Sequence, residues 1–227
     1  MATRNSHRRP VASRPATTIL VCRSRAALAR VATTERACPV VVLSADPSIS
    51  GPRTWFPLIE SCWEESIACV AADYLTRDLP GYLRLATPEA ATLLAGALHA
   101  ASLVNWPVVT LAHLLDAGAV STIVELLVGA DEEDFGLDVP AAAGPAAPDR
   151  HHITHAAALA AHHLLHAEPM ITPTGSASRP VTALLAGPDS VTIAVHDDGS
   201  AIAALIIARL RYLAHSDPVI TVSEAAA

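Results

Sequence analysis

The chain has 227 residues, 52% hydrophobic and 16% charged, enough apolar material for one sizeable core or two small ones, which excludes a disordered polymer. All 15 cationic side chains are Arg; seven lie in residues 1–34, where no acid occurs, and residues 35–227 carry eight Arg against 22 acids. A basic head thus precedes an acidic body, and because the chain has no Lys, an intact phosphate-binding G-x-x-x-x-G-K-[ST] loop is excluded.

Residues 1–16 show no periodicity and hold two Pro, which predicts a solvated tail; its Arg residues are also the place where DNA contact could be made. Thr17–Cys22 is a short apolar run, Arg25–Val31 has helical character, and Pro39–Ser44 is β-branched and predicts a buried strand. Asp46-Pro47 stops that strand, and Ser50-Gly51-Pro52 makes a turn. The four Cys, at 22, 38, 62 and 69, lack C-x-x-C spacing, and Ile19–Cys22 is too short for a secretory apolar segment. A reduced, cytoplasmic chain is expected, membrane-associated only through partners.

Ser44–Leu75 is the stretch whose residue identities are least replaceable in a chain otherwise rich in Ala, Leu and Val, and it holds Trp55 and Trp63. From Pro57 to Tyr74 the positions Leu58, Cys62, Ile67, Val70 and Tyr74 alternate with Glu60, Glu64, Glu65 and Asp73, which predicts one amphipathic helix. Cys62 and Cys69 would share its face as small buried hydrophobes. Thr87-Pro88-Glu89 is expected to cap a helix running to about Val104, followed by helices at Pro107–Leu115 and Val120–Val128. Residues 90–115 lack Asp, Glu and Arg, yet His99, Asn105, Pro107 and His113 interrupt them, so two buried helices are expected and no transmembrane span. Residues 136–149 read as a Pro/Ala/Gly linker, and Asp149 as the cap of a helix ending at His166. Beyond a loop at 169–180, strands are expected at Val181–Ala186, Val191–Val195 and Val219–Val222, around a helix at Ser200–Leu213 capped by Ser200.

Three local patterns bear on chemistry. On the histidine helix, His151, His155, His162 and His166 fall within about 60° of one another at 100° per residue, and His-x-x-x-His pairs can hold Zn²⁺ or a similar divalent ion. The pattern lacks the Glu of H-E-x-x-H, and a polar helix face accounts for it equally. No Ser lies in a G-x-S-x-G elbow; Thr174-Gly175-Ser176 lies in a loop, and His196-Asp197-Asp198-Gly199 has the residues of a turn after a strand. Thr17 and Thr18, before an apolar run, mark where a decayed nucleotide loop could lie.

In their order along the chain these stretches resemble the nucleotide-binding domain of the TraG/TraD-like conjugative coupling ATPases of type IV secretion, of actinobacterial type. The similarity is carried by the strand Pro39–Ser44, by Asp46–Gly51, by Trp55-Phe56-Pro57-Leu58-Ile59-Glu60-Ser61-Cys62, and by the helix Ala90–Leu103. It ends at Pro218–Ala226, which is similar to a Walker B strand closing in Asp-Glu-Ala. The resemblance implies an α/β fold: a partial P-loop-NTPase-like sheet from residues 17–56 and 181–227, an inserted all-α subdomain at 57–130, and a Pro/Ala linker with the histidine helix at 131–180.

It also implies lost catalysis. Ser223 stands where the family has the Asp that helps hold Mg²⁺, Glu224 stands at the activating carboxylate, and the Walker A Lys is missing. The expected function is a non-catalytic, degenerate coupling-protein-like interaction module, partnered by an intact coupling ATPase paralogue or a relaxosome protein. The alternatives are a subunit with residual ATP and Mg²⁺ binding and a divalent-metal-binding helical protein.

Overall fold

A computed structural model describes residues 16–34, 36–130, 133–173 and 178–225. The basic tail at 1–15, most of the acidic run at 131–134 and Thr174-Gly175-Ser176 lie outside the described residues or have undescribed side chains. The chain is α/β. Four parallel strands, β1 (Thr17–Cys22), β2 (Val40–Leu43), β3 (Thr192–His196) and β4 (Ile220–Glu224), form a sheet in the order β2-β3-β1-β4.

The two central strands are buried on both faces, which is why they read as continuous apolar runs. Alternation still assigns each side chain a face. Ile19, Val21, Ile193 and Val195 enter one core with helix α11 (Ala201–Ser216), whereas Leu20, Cys22 and Ala194 enter a second with helix α1 (Arg25–Thr33). The connections β1-α1-β2 and β3-α11-β4 each cross over one strand, in opposite directions from the sheet's centre. Right-handed crossovers then place the two helices on opposite faces, as found. Ser24 caps α1 by accepting from Ala27 N at 3.1 Å, and Ser200 caps α11 from Ala203 N at 3.2 Å, the latter as its sequence predicts.

Between β2 and β3 the chain makes helices α2 (Leu58–Ser61), α3 (Glu65–Thr76), α4 (Thr87–Val104), α5 (Val108–Asp116), α6 (Val120–Gly129), α7 (Glu133–Ala143), α8 (Arg150–His166), α9 (Glu168–Ile171) and α10 (Val181–Leu185). α4 is central to this layer: α3, α7 and α8 all pack on it. The helices share one continuous core with the α11 face of the sheet. Asn105, left-handed at φ 54°, turns α4 into α5, and no helix among the described residues is long and apolar enough to cross a membrane.

Several sequence expectations are overturned. The helix predicted over Pro57–Tyr74 breaks at Cys62–Glu64, because the Cys62 carbonyl, which a continuous helix would use, meets the buried His99 ring of α4 at 2.8 Å. The break separates the two thiols: Cys62 is buried and Cys69 exposed. Residues 136–143 belong to α7 despite Pro140, because Phe135, Val139 and Ala143, four apart, bury one stripe. Val181–Leu185 is a helix where a strand was predicted, a short apolar run being ambiguous between the two. Thr87 does not cap α4; a 3₁₀ turn at Gly81–Ala86 runs directly into the helix, and the Thr87 hydroxyl donates to Leu83 O at 3.4 Å. Asp149 occupies the cap position of α8 in a left-handed conformation, φ 58°, without a side-chain cap bond; its main-chain carbonyl accepts from His152 and Ile153 at 2.8 and 3.1 Å.

Candidate functional site

In an open parallel sheet, ligands bind outside the carboxyl ends of the strands where neighbouring connections leave on opposite faces. Here that point lies between β1 and β3. The loops leaving them, Arg23–Arg25 and His196–Gly199, line an open crevice of about 570 Å³. Both loops lead into helix N-termini, so main-chain N–H groups of α1 and α11 face this edge.

The polar groups of the edge are largely satisfied by one another. Arg23 donates to Glu224 Oε1 at 2.8 Å, and Arg25 Nε meets Asp46 Oδ2 at 2.9 Å. Ser48 donates to Asp46 Oδ1 through its main-chain N–H (2.9 Å) and hydroxyl (2.6 Å), and Arg25 also reaches the Ser48 hydroxyl. These bonds from Ser48, with the nearby Arg25 and His196, hold the Asp46 carboxyl below its ordinary range. Arg53 fixes the loop after β2 by donating to Ser44 O, Asp46 O and Ile49 O at 3.1, 2.6 and 3.1 Å.

Behind the crevice, buried Ser44 accepts from Asp46 N at 3.1 Å and lies 3.4 Å from His196 Nδ1. A hydroxyl at this position can donate to the ring or accept from it, so either way the contact orients His196. Asp197 Oδ1 accepts from Gly199 N at 3.3 Å and Asp198 Oδ1 from Ser200 N at 2.9 Å, so the loop predicted as a turn is one, with Gly199 at φ 80°. The arrangement can orient a histidine. Gly199 is the one glycine among the residues lining the crevice.

No protein family, curated protein or solved structure matches the chain.

The sequence-predicted residues lie apart. Thr17 and Thr18 begin β1, donating from their main chains to Val219 O and Val191 O, at the edge of the sheet opposite the crevice, about 16 Å away at 3.3 Å per residue. Ser223 and Glu224 end β4 on the carboxyl side; Ser223 is exposed, and Glu224 is held by Arg23 and, at 3.7 Å, by Arg211. On α8, His151 and His155 stack with ring centroids 6.4 Å apart and planes 9° apart. His162 turns to α5, its Nε2 3.1 and 3.2 Å from the Asp116 carboxylate oxygens. Among the described residues no three His, Cys, Asp or Glu converge on a metal position. Asp116 was not visible as a partner in the sequence, being 46 residues upstream on another helix.

Of the thiols, Cys62 is pushed up to about 12 by burial and by Glu60, against the pull of Arg209, and Cys22 is raised by burial. Cys69 is also raised, by partial burial and then by Glu65, Asp73 and Asp138. Raised thiols bind metal and attack electrophiles poorly, so these cysteines serve packing more than chemistry.

Proposed function

We propose that the chain is a non-catalytic, coupling-ATPase-like interaction module of conjugative DNA transfer: a degenerate P-loop-type nucleotide domain that engages an intact coupling ATPase or a relaxosome protein. The conjugative part rests on the resemblance of Asp46–Gly51, Trp55–Cys62 and Ala90–Leu103 to that family. One observation supports the non-catalytic part. At the carboxyl edge of the sheet, where a nucleotide would be held, both cations of the crevice are engaged by the chain's own carboxylates, Arg23 by Glu224 and Arg25 by Asp46.

Asp197 and Asp198 remain in the crevice and would repel a triphosphate, and the α1 terminus is closed by Ser24 where a nucleotide loop would leave its N–H groups open. The histidine stripe supports the metal-binding alternative less well, since only His151 and His155 face each other and His162 is taken by Asp116.

Isothermal titration with ATP and Mg²⁺ tests the reading. No binding heat is expected at micromolar to high-micromolar nucleotide, and micromolar affinity would overturn it. The DNA flanking the reading frame tests the conjugative part, which predicts a neighbouring relaxase or intact coupling ATPase.

A further inference from the structure

The two edges of the sheet are finished differently. Along β2 the outer edge is covered, because Val42 donates to Pro52 O at 2.8 Å and accepts from Thr54 N at 2.9 Å. β4 forms the other edge, and among the described residues nothing is hydrogen-bonded along its outer side. The register with β1 fixes which groups are left there. Thr17 N donates to Val219 O at 3.1 Å and Ala225 N to Val21 O at 2.9 Å, so Thr221 and Ser223 turn their main-chain groups to β1, while Ile220, Val222 and Glu224 turn theirs outward. Of the outward groups, the Ile220 N–H is taken by Asp217 O at 3.0 Å. Val222 and Glu224 each keep an open N–H, and all three keep an open carbonyl among the described residues.

An open row of donors and acceptors templates another strand, and natural edges are blunted against this by Pro, by cations, by bulges or by a covering segment. From Ile220 to Ala225 β4 has no Pro and no cation, its ladder with β1 is unbroken, and its one charge, Glu224, stands at the end. Thr221 and Ser223 are exposed, uncharged and on the α1 face of the sheet, aligned with Thr18 and Leu20. Such side chains suit a strand with a neighbour on either side.

We infer that the outer edge of β4 pairs with β4 of a second copy of the chain, antiparallel about a two-fold axis at Val222, joining the two sheets into one. The open groups are complementary to themselves in this register. Val222 N–H donates to the partner's Val222 O, Glu224 N–H donates to the partner's Ile220 O, and the axis repeats both bonds. The Ile220 N–H, already taken, is not called on. An axis at Thr221 would make only two bonds, because that register needs the Ile220 donor. An axis at Ser223 would also make four, but it brings the two Glu224 positions to about 8 Å, within the screening length, whereas the Val222 axis keeps them about 14 Å apart at 3.3 Å per residue. Thr221 then faces the partner's Ser223, a hydroxyl pair that favours antiparallel strands. Five residues a side make a small contact beside the roughly 800 Å² per partner of a stable complex, so the association is weak and reversible.

Sedimentation velocity of the full chain from about 5 to about 500 µM tests this, and the average mass is expected to climb from monomer towards dimer. Val222→Pro removes the central donor, and an edge strand tolerates Pro where the N–H faced outward, so the variant should keep the wild-type circular dichroism while self-association weakens about tenfold or more. Two substitutions at exposed positions check the register without Pro. Thr221→Glu and Ser223→Lys stand opposite each other only about the Val222 axis, so their equimolar mixture should associate more tightly than either variant alone. By nuclear magnetic resonance, the Val222 and Glu224 amides should exchange fast in dilute protein and gain protection as concentration rises. A chain that stays monomeric at every concentration overturns the proposal, as does a dimer that Val222→Pro weakens by less than about twofold. Protection of both amides already in the dilute monomer overturns it too, because another segment of the same chain would then cover the edge.

Discussion

Gly96 lies in the middle of α4, where helix propensity alone favours Ala by about 1 kcal/mol, so Gly96→Ala would stabilise an isolated helix. Packing reverses the sign. A Cβ at position 96 would come 2.4 Å from Val139 Cγ2 and 3.5 Å from Leu127 Cδ1. Val139 is fully buried, and Pro140 follows it inside α7, so the methyl group has no solvent to move into and the backbone behind it is stiff. Overpacking at such a site costs typically 1–3 kcal/mol, and the upper part of that range applies where neither neighbour can give. Less the propensity gain, the substitution should destabilise by about 2 kcal/mol, which for a chain of this size lowers Tm by roughly 4–8 °C. Urea unfolding followed by far-ultraviolet circular dichroism, with calorimetry for Tm, measures it. Val139→Ala in the same chain should absorb the clash, so that the double variant is more stable than the sum of the two single losses. A Tm at or above wild type for Gly96→Ala would refute the close approach of α4 and α7.

Asp46 gives a pH-dependent expectation. Its folded pKa is depressed, chiefly by the Ser48 bonds, so its contribution to stability is present above the unfolded carboxyl pKa of about 4 and is lost as pH falls through the lower folded value. Asp46→Asn should therefore flatten the decline of Tm below about pH 4, and an unchanged acid limb would contradict the assignment. For the thiols, Ellman titration of the native protein at pH 8 should reach Cys38 and the exposed Cys69 while sparing buried Cys22 and Cys62, and denaturation should release all four. Fast labelling of Cys62 in the native state would place it outside the core.

What could be read along the chain was what local periodicity and apolar runs dictate. β2, β3, β4 and α11 lie close to their predicted ranges, and β1 coincides with the apolar run Thr17–Cys22, because short apolar runs and a helix capped by Ser200 announce themselves within a few residues. Several misses fall where a distant partner decides a local conformation. The break at Cys62 needs His99, 37 residues on; α7 keeps Pro140 because Val139 packs against Gly96; His162 turns to Asp116, 46 residues away. None of these pairs leaves a mark at either position alone.

The loops of the candidate site are joined to one another by contacts of that kind, which is why motif spacing located its strands and not its chemistry. Ser44 and His196 meet across 152 residues and Arg23 and Glu224 across 201, because the strands carrying them are brought into register only after the helical excursion returns to the sheet. Glu224 shows the consequence. Expected from the resemblance at the place of an activating carboxylate, it is instead found bonded to Arg23, which follows the neighbouring β1. The same ion pair joins the end of β1 to the end of β4, the two strands whose residues flank the crevice's outer side.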